Sequence, residues 1–479
     1  MSPAEIDAAA NFYYSRSVEL NSAEAVGIKV EELLWEAAQV FEADFHFNEM
    51  ETKIHRFPPG LRGLGGQYIV PMVVAIGPYH RGSPRLQEMA KVKHAAAHYF
   101  IDAASTISTY DYHKIYDEFF PVAVNARSTY TSDVVAGIED ADFVDMMFRD
   151  ACFLLQYMLC MSSSLGCREY FDVNPSLRRF FFSNRACIDN DVMLLENQLP
   201  WMVLDALRKF SPVKIEDFIA EMGNKFQIRQ DLKPESFVLD PEIYTPPHLL
   251  GLLRFYKLGR RKAPKPHVPD YGPENKTEAA HGLLKQISVS NAIELAEIGV
   301  RLKPSKTADF MDIGMKKGAF LENLFSGKLF LGNLFFVPLS LDSTKACWLV
   351  NMAAFEVCTV SRFKEDVQKT AVCSYIALLA MLMDRDEDVL RLRSKHLVHG
   401  NHTNKEMLDF FKSLAKHLPD NGYKFSCIMA DIEVYKAYKL NRWIWIRVYK
   451  FWYKHGKTVA VVISILGAIA GILKVILSI

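Results

Sequence analysis

Apolar residues recur at helical spacing through most of the chain, with polar residues filling the positions between them. The pattern predicts helices over 24–45, 85–104, 142–162, 191–210 and 277–299, because a stripe repeating every three to four residues buries one helical face. Strand-like runs are scarcer: 236–239 is short, and 310–314 and 328–341 are broken by glycine and proline. Pro338 suits an edge strand or a hairpin, since proline cannot donate to a ladder. Residues 68–76 also read as strand-like, entered through a glycine-rich turn at 60–66. The predicted fold class is mainly α (α+β): a large helical globular body with a small antiparallel β element and one C-terminal transmembrane helix.

That last helix rests on 458–479, apolar except for Thr458, Ser464, Ser478 and Lys474. About 20 such residues span the hydrocarbon core of a bilayer, and the polar stripe of an ordinary core helix is missing. Just before it, 441–457 interleaves Trp443, Trp445 and Trp452 with basic residues that include Lys454 and Lys457. Aromatic and cationic side chains in that order suit a membrane–water interface, and the positive flank places the body in the cytoplasm. Residues 1–20 contain Glu5, Asp7 and Arg16 and lack the apolar core of a signal peptide, so a tail-anchored protein is expected. Gly467 and Gly471 form a small-xxx-small face that could pair two copies in lipid; two lipid-facing glycines are the plainer alternative.

The domain reading follows: an N-terminal segment 1–33, a helical half 34–256, a linker 257–276, a second half 277–440, a juxtamembrane segment 441–457 and the span 458–479. The linker contains Pro264, Pro266, Pro269 and Pro273 with Arg260, Arg261, Lys262 and Lys265. Proline at that density favours extended chain, either a solvated connection or a basic contact for anionic lipid or nuclear import.

Charge narrows the partners. Among 479 residues, 56 basic balance 56 acidic, so no nucleic acid is expected. Membrane lipid and another protein remain, together with a second copy through the transmembrane helix. Eight cysteines without a CxxC pair sit mostly in apolar stretches and read as thiols in a reducing compartment.

The chain lacks a phosphate loop, a GxSxG elbow and an HExxH motif, and neither a cofactor nor a metal is predicted. His94 and His98 stand i, i+4 on a helix, and His396, His399 and His402 share a loop, but neither set completes a ligand shell. Glu196, Asn197 and Gln198 interrupt an apolar run just before Pro200, where the helix should kink or break. They could satisfy freed backbone groups, or Glu196 could be a buried general base. Tyr79, His80 and Arg81 lie on a turn between Gly77-Pro78 and Gly82, either a contact surface or an internally bonded corner.

Several segments together resemble the plant DUF247 family, also called UPF0481. They are Ile54-His-Arg-Phe-Pro58; the stretch from Tyr68 to Gly82; Phe143-Val-Asp-Met-Met-Phe-Arg-Asp-Ala-Cys-Phe-Leu-Leu155; Asp191-Val-Met-Leu-Leu-Glu-Asn-Gln-Leu-Pro200; Val337-Pro-Leu; and Asn351-Met-Ala-Ala-Phe-Glu356. Ala90, Lys93-His94, Gln156 and Val357 depart from the usual pattern. The resemblance implies a plant protein with a C-terminal membrane segment and no established enzymatic activity. Some members are implicated in self-incompatibility in grasses, which makes protein recognition or signalling the leading class. A hydrolase-like enzyme using Glu196 or the Tyr79–Arg81 turn, and a passive tail-anchored adaptor, are the alternatives.

Overall fold

A computed structural model describes residues 33–39, 41–42, 52–107, 112–161, 173–228, 237–259, 291–316, 332–360 and 367–436. The chain divides into two compact units, one comprising 1–58, 66–219 and 237–252, the other 59–65, 220–236 and 253–479. The stretch 257–276 falls inside the span of the second.

The first unit is built on the helix Asp140–Met161. Asp140 and Asp142 in its first turn complement the helix dipole, and residues from Phe143 to Met158 are buried nearly all round. The helices Met89–Ile107, Tyr112–Ala126, Pro175–Ser183 and Trp201–Arg208 pack against it. A helix wrapped on every side needs apolar residues on every side, which is why its amphipathic stripe broadens after Met146.

The helix expected over 191–210 is corrected. One helix ends at Asp191 (Arg185–Asp191), Val192 to Pro200 form turns, and a second helix starts at Trp201. Pro200 explains where the second helix begins, but the break opens eight residues earlier, because the polar side chains after Asp191 are drawn to other segments (below). The run 68–76 is likewise not a strand: Gly66–Tyr68 is a 3-10 turn and the rest is irregular. Residues 237–239 form no strand either; Phe237 is buried while Val238 is 70% exposed.

The second unit has two helices with almost no polar face, Ser343–Thr359 and Ala371–Leu382, the latter buried at every position. Of its two sheets the three-stranded one is mixed and the two-stranded one parallel, where an antiparallel element was expected. β1 (Val300–Pro304) pairs in parallel with β3 (Gly332–Phe336), which pairs antiparallel with β2 (Gly314–Lys316). β4 (Leu339–Leu341) pairs in parallel with β5 (Val398–Gly400), which places His399 in a strand. No hairpin forms around Pro338. β3 and β4 belong to different sheets, and the amides that follow the proline donate to Leu397 O at 2.9 Å and Phe226 O at 2.8 Å. Gly400, at φ +144°, lies so close to Leu341 that a Cβ would come within 1.8 Å of its carbonyl oxygen, so the β4–β5 pairing needs glycine there.

Of the helix expected over 277–299, Ala292–Glu297 is described; of that over 24–45, residues 33–39 and 41–42 are helical. Among the described residues no helix is long and apolar enough to cross a membrane. The segments 441–457 and 458–479, with Trp443, Trp445, Trp452, Lys454, Lys457, Gly467 and Gly471, lie outside the described residues.

Lys257 does not belong to an extended linker. It sits near the end of the helix Leu249–Leu258 and is 2% exposed. Its Nζ lies 4.8 Å from the Phe310 ring centre and 5.5 Å from that of Phe226, and donates to Ala308 O at 2.8 Å. Burial pulls its pKa from the ordinary 10.5 down to about 8. The unfolded chain therefore holds the proton more tightly, and stability should rise with pH between about 8 and 10.5. Lys257→Met should raise the thermal midpoint at pH 7.5 and flatten that alkaline rise, worth up to about 3 kcal/mol. Melting curves from pH 7 to 10 measure both.

Candidate functional site

The segment that follows Asp191 forms a polar lattice inside the first unit. Asp191 is fully buried and accepts three backbone N–H groups, from Met72 at 2.8 Å, Val73 at 2.7 Å and Val74 at 2.9 Å. Asn197 continues along the same strip: its Oδ1 accepts from Ile76 N at 2.7 Å, and its Nδ2 donates to Val74 O at 3.0 Å and Asp191 O at 2.9 Å. Asp150 takes the next amide, Gly77 N at 2.8 Å, and pairs with Lys93. Residues 72–77 thus have the side-chain counterpart of a neighbouring strand. This is why an apolar, extended-looking run makes no β-sheet.

Gln198 and Glu196 reach other segments. Gln198 Oε1 accepts from Leu250 N at 3.0 Å, and its Nε2 donates to Val192 O and Leu194 O, each at 2.8 Å, closing the turn. Glu196 Oε1 accepts from Phe57 N at 2.8 Å, which holds the strap 52–58. Glu196, Asn197 and Gln198 thus each bond to backbone groups.

In the turn 77–82, Arg81 N donates to Pro78 O at 3.3 Å, and Ser83 N to His80 O at 3.1 Å. Gly77 has φ +70°, and a Cβ there would stand 3.0 Å from Tyr130 Oη and 3.1 Å from Gln198 O. Tyr79 Oη donates to Ile54 O at 2.8 Å, with the Arg56 guanidinium 5.4 Å from its ring centre. Burial raises its phenol pKa well above the ordinary value. Arg81 is exposed and reaches Asp142 at 3.4 Å.

His80 is brought towards Glu196, with Nε2 to Oε2 at 3.6 Å. That is too long for a hydrogen bond, and Nε2 has no other hydrogen-bond partner among the described residues. Burial lowers the imidazole pKa from 6.5 to about 4. The unfolded chain then takes up the proton first, so His80 favours the fold above pH 6.5 and this contribution is lost as pH falls towards 4. His80→Gln should lessen the acid-induced drop in thermal midpoint over that range, by up to about 3 kcal/mol. Melting curves of the two chains from pH 4 to 7 check it.

His94 and His98 are both exposed on one helix, and no group of three or more potential metal ligands occurs among the described residues. The seven described cysteines are free thiols.

With this geometry in place, comparison with known proteins adds one decisive match. Residues 54–470 match DUF247, described as a plant protein of unknown function. The chain belongs to the DUF247 family. It is 27% identical over 373 residues to a UPF0481 protein of Arabidopsis thaliana, covering 76% of this chain and 72% of that one. No solved structure matches the chain.

The DUF247 region holds a further buried carboxylate that the sequence reading quoted only as part of a motif. Glu356, fully buried, accepts from Arg254 Nε at 2.8 Å, Val372 N at 3.0 Å and Cys373 N at 2.8 Å. Burial pushes its carboxyl pKa up, against the pull of Arg254 and the two amides. Asp150 and Asp191 were likewise quoted only within family motifs, and Lys93 only as a departure from the family pattern.

Proposed function

We propose that the protein is a membrane-anchored recognition or signalling component whose helical body binds other proteins. The observation that carries this reading is the use made of Glu196, Asn197 and Gln198. Each is at most 8% exposed, and each holds backbone that is distant in sequence. The motif builds a rigid scaffold, and specificity falls to the surface. In this reading 458–479 anchors the chain, Trp443, Trp445, Trp452, Lys454 and Lys457 contact lipid at the interface, and Gly467 with Gly471 lets two copies pair.

The test compares the full chain with one ending at residue 457 in plant cells. The full chain should stay in the membrane fraction, its body should be digested from outside sealed microsomes, and proximity labelling should return partners that another tail-anchored protein does not. Release of both chains into the soluble fraction would remove the anchor. A labelling profile equal to the control would leave a passive adaptor.

One observation favours a hydrolase-like reading, the approach of His80 to Glu196. Turnover of ester or glycoside substrates by the native chain, lost in an equally stable Glu196→Gln variant, would establish it.

A further inference from the structure

In the second unit the helix Asp386–Ser394, the strand β5 and the helix Asn404–His417 follow one another in sequence. Between Asp388 and Glu406 there is no carboxylate, while the stretch has Arg391, Arg393, Lys395 and Lys405 together with His396, His399 and His402. Elsewhere exposed cations pair with acids, as Arg81 does with Asp142 and Lys412 with Asp384. Here Lys395, His396, His399 and Lys405 are exposed, and among the described residues none of them makes an ion pair. The nearest acid that follows, Glu406, is taken up by its own helix start, where it accepts from Thr403 N at 2.8 Å and Thr403 Oγ1 at 3.0 Å. Leu392, Leu397 and Val398 are buried, so the stretch presents cations and hydrogen-bonding groups without an apolar side chain to insert into lipid.

The backbone marks the same place. The amides of Leu397 and His396 donate to Leu392 O at 3.0 Å and Arg393 O at 2.9 Å, which closes the helix in the manner usually built with glycine. The glycine position is held by His396, at φ +55°, and among the described residues no other non-glycine has a positive φ. An L side chain is strained there, and such strain persists where the side chain has a use beyond the fold. Arg393 donates to Gly400 O at 3.4 Å and to His402 O, so the connection is held from within. We infer that Lys395, His396, His399 and Lys405 form a docking surface for an acidic segment of a partner protein. Four side chains from successive pieces of chain suit a row of carboxylates, and a surface held in advance costs less to order on binding. The inference rests on the recognition reading and names the surface and the chemistry of its partner. It does not depend on the membrane anchor.

The test places a photo-crosslinking amino acid at one of three exposed positions in the full chain expressed in plant cells: His399, Glu387 at the acidic start of the helix Asp386–Ser394, and Arg81 in the first unit. A discrete adduct with another protein is expected at His399, at least about fivefold stronger than at Glu387. Its crosslinked peptide should be rich in aspartate and glutamate. The adduct should be lost in the double variant Lys395→Glu, Lys405→Glu and kept in Lys395→Arg, Lys405→Arg. Both side chains are exposed, so the thermal midpoints should match that of the native chain, and equal midpoints separate lost docking from lost folding. His396→Gly should weaken the adduct while the midpoint holds or rises, since glycine suits a positive φ. The docking proposal is overturned if the His399 adduct is with lipid, with this chain itself or with a peptide poor in acids. It is overturned equally if His399 and Glu387 label alike, or if the adduct survives charge reversal. An adduct at Arg81 without one at His399 also overturns it, while leaving the recognition reading standing.

Discussion

Glu356→Ala should destabilise the second unit by about 3–5 kcal/mol, the usual cost of removing one partner from a buried ion pair. Arg254, its side chain 11% exposed, would lose the carboxylate that neutralises it. The amides of Val372 and Cys373, at the start of the helix Ala371–Leu382, would lose their acceptor at the same time. One side chain therefore joins three segments: the helix carrying Arg254, the helix Ser343–Thr359 that carries Glu356, and the first turn of Ala371–Leu382. Glu356→Gln should cost less, because the amide oxygen still accepts one bond, though its NH2 then faces a donor. Denaturant unfolding with a probe in the second unit, Trp348 fluorescence for example, measures both variants. An alanine variant within 1 kcal/mol of the native chain, as an order-of-magnitude threshold, would show that water enters and replaces the carboxylate.

In the first unit the corresponding change is Asp191→Ala. It strips the acceptor from Met72, Val73 and Val74 at once. Each buried donor left unsatisfied costs about 1–3 kcal/mol, and water can reach the exposed Met72, so the expected loss is about 3–5 kcal/mol. Hydrogen exchange should locate it, through faster exchange of the amides of 73 and 74.

Asp191 also has a pH signature. Burial raises its pKa from 3.8 to about 6 despite the three amides. The folded chain then holds the proton more tightly than the unfolded one, so this group's contribution to stability falls as pH rises from about 4 to 6. Asp191→Asn removes that titration. The gap in stability between the native chain and this variant should therefore narrow by up to about 3 kcal/mol from pH 4 to 7. A gap that widened instead would mean that the three amides outweigh burial. His80 acts in the opposite direction over the same range, which is why each residue is read against its own variant.

Sequence alone settled the features carried by local periodicity and by residue type. The helices Met89–Ile107 and Asp140–Met161 fall within a few residues of their expected limits, because an apolar repeat of three to four residues admits little else over such lengths. Family membership was legible from short motifs in order, and the start of the helix after Pro200 from the chemistry of proline. Tertiary structure decided what depends on partners distant in sequence. The run 68–76 has the composition of a strand, yet amides within it go to Asp191 and Asn197, 117–121 positions away. β3 and β4 are neighbours in sequence but lie in different sheets. Lys257 looks like linker charge until Phe226 and Phe310 close around it. The physical reason is common to all three. Periodicity records which face of an element avoids water, whereas a hydrogen-bond donor, acceptor or charge is satisfied by whichever group the folded chain brings within about 3 Å.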